Sequence, residues 1–187
     1  MYLIVTRSFP PEIGGMQNLM WGLTNELSKN YMIKVFADYY ENHKTFDERV
    51  SFSVERVGGI KLFRKYRKAQ LVNEYIKGNK IKGIIADHWK SLELIRTGKR
   101  KICLIHGKEI NHKKGTNLNK RVLDVLNNVE VIIANSKYTK DLAVQRGVEE
   151  DKIIVINPGI DLVQELDSKK LEKVEDLLKH KYPRLIT

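Results

Sequence analysis

A single cysteine, Cys103, in 187 residues excludes a disulfide framework and a cysteine-based zinc cluster. Four prolines and the lack of any low-complexity tract leave no stretch that reads as a flexible linker, and no internal repeat is visible. Long apolar runs are missing as well, since none approaches the roughly 20 residues that span a bilayer. The opening "MYLIVTRSFPP" has no basic n-region, and its apolar run is too short for a signal peptide. A soluble, cytoplasmic protein is the default expectation. Several catalytic signatures are absent too. The glycines of "IGGMQN" fit neither G-x-G-x-x-G nor a Walker A loop, Ser136 lies in "ANSKY" rather than G-x-S-x-G, and His106 with Glu109 makes no H-E-x-x-H pair.

What remains is a basic α/β pattern. Hydrophobic residues make up 42% of the chain, enough to build one core. The formal charge of +11 favours phosphate-bearing partners, whether nucleotide ligands, anionic lipid or nucleic acid. Short apolar runs bounded by turn residues predict strands over 3–6, 32–37, 51–57, 83–87, 101–106, 129–136 and 152–159. Between them, apolar residues recur at helical spacing. Met16, Leu19, Met20, Leu23 and Leu27 form one face, and Leu62, Tyr66, Ala69, Val72 and Ile76 form another. A short helix is expected after Ser91, and others over 118–128 and 137–146. Ser136 is placed to cap the last of these and Gly147 to end it. Strands alternating with helices predict a Rossmann-like parallel sheet covered by helices on both faces. A charged helical stretch over 167–180 and a strand opening at "RLIT" are expected to follow.

In such a sheet, ligands bind beyond the C-terminal strand ends. That rule selects five loops: "SFPPEIGG", "DHWKS", "HGKE", "NSKYT" and "NPGID". Gly14 and Gly15 precede a helix whose free amides suit a phosphate; a tight turn without a ligand explains them equally well. His106 closes an apolar strand at the ligand edge, where it either donates to a sugar hydroxyl or satisfies a local backbone group. Asp87 opens the "DHWKS" loop. His88 and His112 read as surface or loop residues, and Cys103 as a small core residue. The segment 61–68 interleaves Lys61, Arg64, Lys65, Arg67 and Lys68 with Leu62, Phe63 and Tyr66. This is the composition of a helix at a membrane surface, although an apolar stripe packed on the sheet is the commoner use of such a face.

Taken in order, "YLIVTRSFPPEIGGMQNLMWGLTNEL", "CLIHGKE" and "VIIANSKYTKDLAVQRGVEEDKIIVINPGID" resemble the N-terminal domain of GT-B glycosyltransferases of the retaining family 4. The resemblance covers residues 1–165, with Asn157-Pro158 in the reverse of the family's usual order. It implies that Gly14 and Gly15 approach the donor diphosphate and that His106 contacts the transferred sugar. Glu109, Asn135 and Ser136 would line the same cleft, and Asp87, named by its strand-end position, is a further cleft or acceptor candidate. It implies a hexosyl transfer from a nucleotide-diphosphate sugar to a lipid-linked or glycan acceptor in cell-surface glycan biosynthesis. It implies no cofactor, and the chain has no D-x-D-type metal motif. By this resemblance residues 1–180 are the acceptor-side domain and 181–187 the start of a donor domain, so the chain alone is expected to be inactive. The expected site is cytoplasmic, on the inner membrane face, with no nucleic acid partner. The alternative is a non-catalytic basic module that binds anionic lipid or nucleic acid.

Overall fold

The structure, a computed structural model, describes residues 1–159 and residue 176. The stretch expected to be helical over 167–180, the strand opening at 184–187 and the domain boundary at 180 lie outside the described residues. Among the described residues, seven strands form one sheet: β1 (Tyr2–Val5), β2 (Ile33–Asp38), β3 (Ser53–Val57), β4 (Gly83–Ala86), β5 (Arg100–Ile105), β6 (Val131–Ala134) and β7 (Ile153–Val155). All pair in parallel, in the order β3-β2-β1-β4-β5-β6-β7. The helices are α1 (Gly15–Ser28), α2 (His43–Asp47), α3 (Lys61–Gly78), α4 (Trp89–Leu92), α5 (Asn117–Leu126) and α6 (Lys137–Arg146). A 3-10 turn at Glu150–Lys152 leads into β7. The expected Rossmann-like α/β architecture is present.

Period-two alternation divides the core between the two faces of the sheet. Leu3, Val5, Ile84, Ala86, Cys103 and Ile105 pack with Val72 of α3, Trp89 of α4, Val122 of α5 and Leu142 of α6. Ile4, Val35, Ala37, Ile85 and Leu104 pack on the other side with Met20 of α1, against partly buried Phe46 of α2. Chain order explains the division. The chain winds outward from β1 to β3 on one face, then α3 carries it back to β4 beside β1 on the other. β1 and β4 are therefore neighbours whose following loops diverge, the topological switch point of an open sheet. Cys103 is fully buried and burial pushes its thiol pKa up, as a core residue requires.

Three expectations are corrected. The helix expected after Ser91 starts earlier, at Trp89, and its cap is His88, whose Nδ1 accepts from the Lys90 N–H at 2.9 Å. Ser91 lies inside the helix and donates to Asp87 Oδ1 at 3.0 Å. The apolar stripe of α3 does not cover the sheet along its whole length. Ala69 and Val72 are buried, whereas Leu62 (73% exposed), Phe63 (60%) and Tyr66 (56%) project into solvent. The helix begins four residues beyond the end of β3, so its first turns overhang the sheet edge. Lys68, grouped with the membrane-facing cations, is instead buried beside Ala69 and Val72. Ser136 caps α6 by accepting from Thr139 N at 3.2 Å, and Gly147 ends that helix at φ 104°, both as expected. Among the described residues, no helix is long and apolar enough to cross a membrane.

Candidate functional site at the switch point

The register aligns the strand ends, pairing Val5 with Ala86, Ala86 with Cys103, and Ile105 with Ala134. The loops after β1, β4, β5 and β6 therefore leave from one edge. Asp87, the residue after β4, is 3% exposed. Its Oδ2 accepts from Thr6 Oγ1 at 2.8 Å and from Arg7 N at 3.0 Å, while Oδ1 takes the Ser91 hydroxyl. Three donors compensate the burial of one carboxylate. Asp87 thus ties the β1 loop to the β4 loop across the switch point rather than presenting free oxygens to solvent.

Two further groups hold the β1 loop: Lys68, which the sequence offered only as a membrane-facing cation, and Arg56, which it did not single out. Lys68 Nζ donates to Thr6 O and to Asp38 Oδ1. Burial lowers its pKa, with Asp38 acting in the opposite sense. Arg56 donates to Pro10 O and pairs with both oxygens of Asp47, its guanidinium 5.5 Å from the Phe9 ring. The signals were present in the sequence. Asp38 ends a strand at the ligand edge, and Lys68 sits on the buried face of α3 next to Ala69 and one turn before Val72.

The loop from Thr6 ends at Gly14. No side chain caps α1 there, and no acid lies in its first turn. By contrast Thr116 caps α5 and Ser136 caps α6. At Gly14 an added Cβ would lie 2.3 Å from Oε1 of Gln17, a flexible side chain. At Gly15 it would meet nothing within 4 Å. Neither the φ of Gly15 nor its packing within the chain requires glycine.

After β5, the loop turns at Gly107, where φ is 106° and a side chain would be strained. Glu109 folds back so that Oε1 accepts from the His106 N–H, and the buried Trp89 indole donates to Glu109 O at 2.9 Å. His106 is half-buried, and its Nε2 is out of solvent with no hydrogen-bond partner among the described residues. Asn135 and Ser136 are engaged at the start of α6. Asn135 Oδ1 accepts from Thr139 Oγ1 at 2.7 Å, and the Ser136 hydroxyl is the helix cap.

His88 belongs to this edge, closer to the site than its sequence context suggested. Its pKa falls from 6.5 to about 3, chiefly through burial, with Arg7, Lys90, His106 and His112 adding to the effect. As a hydrogen-bond acceptor toward Lys90 N, its Nδ1 must be unprotonated. Between about pH 3 and 6.5 the unfolded chain takes up a proton that the folded chain refuses, so stability falls as pH falls through that window. His88→Asn keeps a capping acceptor without the titration. Between pH 7 and pH 4.5 we expect it to lose ~1–2 kcal/mol less stability than the parent, read from urea midpoints; identical pH dependence would remove the assignment.

The grooves of about 550 and 600 Å³ lie elsewhere, around Met32 and Ser53 and around Arg96 and Asn128, at the opposite end of the strands. Among the described residues, no three His, Cys, Asp or Glu side chains are grouped to hold a metal ion.

The profile described as Glycosyltransferase Family 4 matches residues 13–164. The chain belongs to glycosyltransferase family 4. Its fold is that of the GT-B glycosyltransferases. Anabaena Alr3699/HepE in complex with UDP superposes with a TM-score of 0.68 at 17% identity, over 94% of this chain and 50% of that one. The lipopolysaccharide outer core galactosyltransferase WaaB in its apo form gives 0.57 at 14%, over 86% and 46%. MurG of Acinetobacter baumannii gives 0.54 at 9%, over 88% and 47%. The family 4 chain therefore spans about half the length of the structures it matches. No curated protein matches its sequence.

Proposed function

We propose that this family 4 chain is the acceptor-side half of a retaining glycosyltransferase. The reaction would move a hexosyl group from a nucleotide-diphosphate sugar to a lipid-linked or glycan acceptor in cell-surface glycan synthesis. The supporting observation is the buried Nε2 of His106, without a partner among the described residues, on the same sheet edge as the start of α1, which none of them caps. A buried polar atom without a partner is costly, and a sugar hydroxyl would satisfy it. The first-turn amides of α1 offer a diphosphate uncommitted donors and the positive end of a helix dipole. Gly15 would leave room for the diphosphate to approach. Complexes of HepE with UDP and with UDP-glucose support a nucleotide-sugar donor. A donor half would close the cleft from the other side, and the reading assigns the site no metal.

Retention requires stabilisation of an oxocarbenium-like sugar and of a departing diphosphate. His106 would serve the first, α1 the second. The deciding experiment combines the two halves with nucleotide-diphosphate hexoses and an extracted lipid acceptor, and reads the product's anomeric configuration by NMR. Transfer with retention supports the reading; inversion, or hydrolysis without any acceptor product, removes it.

Gly15→Val tests the diphosphate's position. The new side chain meets open space in the folded chain, so the melting temperature is expected to stay within ~2 °C. The KM for the donor is expected to rise about fivefold or more, roughly 1 kcal/mol of lost binding. Unchanged donor kinetics would count against an approach at Gly15.

A further inference from the structure

We propose that the overhanging start of α3, with cations from α4 and α5 beside it, is a docking surface for an anionic lipid bilayer. Ile60 and Leu62 are each 73% exposed, and Phe63 and Tyr66 follow within one turn. Four large apolar side chains in seven residues, all projecting from one helix start, form a cluster that a solvated monomer surface rarely carries.

The surrounding charge selects the occupant. Lys61 and Arg67 are exposed and make no ion pair among the described residues. Lys65 and Arg121 share the one carboxylate of Glu93, at 2.9 and 2.7 Å. That bridge fixes a cation of α3 and a cation of α5 on one face. Lys65 lies 5.0 Å from the Tyr66 ring, and Arg121 and Lys90 lie over Trp89. Lys68 is absent from this surface because it is buried under the helix. A second copy of the same cationic face would be repelled. An apolar cluster rimmed by positive charge complements a bilayer with anionic headgroups, where apolar side chains enter the acyl boundary and each cation near the surface adds about 1 kcal/mol.

The surface adjoins the candidate site. α3 starts just beyond the C-terminal end of β3, on the edge that carries His106 and the start of α1. Docking here turns that edge toward the headgroup layer. The inference does not depend on sugar transfer, because binding to vesicles is read without turnover.

The test is sedimentation of the full chain with phosphatidylcholine vesicles, with and without about 30% phosphatidylglycerol, at about 0.1 M salt. Binding is expected only to the anionic vesicles. Leu62→Ser/Phe63→Ser is expected to weaken it at least about fivefold, and Lys61→Glu/Arg67→Glu by a similar factor. All four positions are exposed, so circular dichroism and melting should be unchanged. A Phe63→Trp variant should show a blue-shifted emission on anionic vesicles alone. The proposal is overturned if the parent chain stays in the supernatant, or if the serine pair binds as tightly as the parent. Duplex DNA that displaces the vesicles and binds the serine pair undiminished would assign the cations to nucleic acid and overturn it equally.

Discussion

Asp87→Ala is expected to destabilise the chain by about 3 kcal/mol, seen as a lower urea midpoint. The size comes from the number of groups left behind. At 3% exposure, the carboxylate receives the Thr6 hydroxyl, the Arg7 amide and the Ser91 hydroxyl. Removing it strands three donors in a place that solvent barely reaches. Thr6 can redirect its single hydroxyl hydrogen to Ser8 O at 2.9 Å, but the Arg7 amide has no such second acceptor among the described residues. Asp87→Asn should cost about half as much, since one oxygen is kept and the new amide cannot accept. Amide exchange at Arg7 and Ser8 should accelerate in both variants, because the Arg7 N–H donates to the carboxylate and the Ser8 N–H to Thr6 Oγ1, which the carboxylate holds in place. A loss under about 1 kcal/mol for the alanine variant would show that the tie across the switch point is not holding the loop.

Under the proposed function, His106→Ala is expected to lower transfer by at least about tenfold in the assembled enzyme, the worth of one hydrogen bond made to the reacting sugar. The effect on folding should be small, because Nε2 gives up no partner in the described structure and the loop is held by the His106 backbone N–H on Glu109. That separates a role in the reaction from a role in the fold. His106→Gln places an amide near the same point and should recover part of the lost rate. Parent-like turnover in the alanine variant sinks the role. A fall in stability that matches the fall in activity would make His106 a structural residue.

Much of the fold was legible because parallel strands buried on both faces read as short apolar runs between turns. The strands at Tyr2–Val5, Gly83–Ala86 and Val131–Ala134 are examples. Helix caps were legible where one side chain does the work, as at Ser136. α2 was missed because His43–Asp47 is too short to show a period. The stripe of α3 misled for a different reason. Its spacing is helical throughout, but spacing cannot tell where the sheet beneath the helix ends, and Leu62 and Tyr66 lie beyond that edge. The position of the candidate site was legible, since the strand-end rule named the loops that carry Asp87, His106 and the glycines. The wiring was not legible. Lys68 reads as a solvated cation until Thr6 O and Asp38 are seen beside it, and those partners lie 62 and 30 residues away.

The strand order also sets a schedule for synthesis. β1 can pair with β2 as soon as residue 38 has emerged, but its other edge waits for β4 and residue 86. At ~5–20 residues per second, those roughly 50 residues leave one side of β1 an open template for several seconds. Asp87 is the residue that emerges directly after β4, and it latches onto Thr6 and Arg7 at the end of β1. The chain thus seals the second edge of β1 on completing the strand that covers it, and a variant without that latch should be most prone to aggregate while it is still being made.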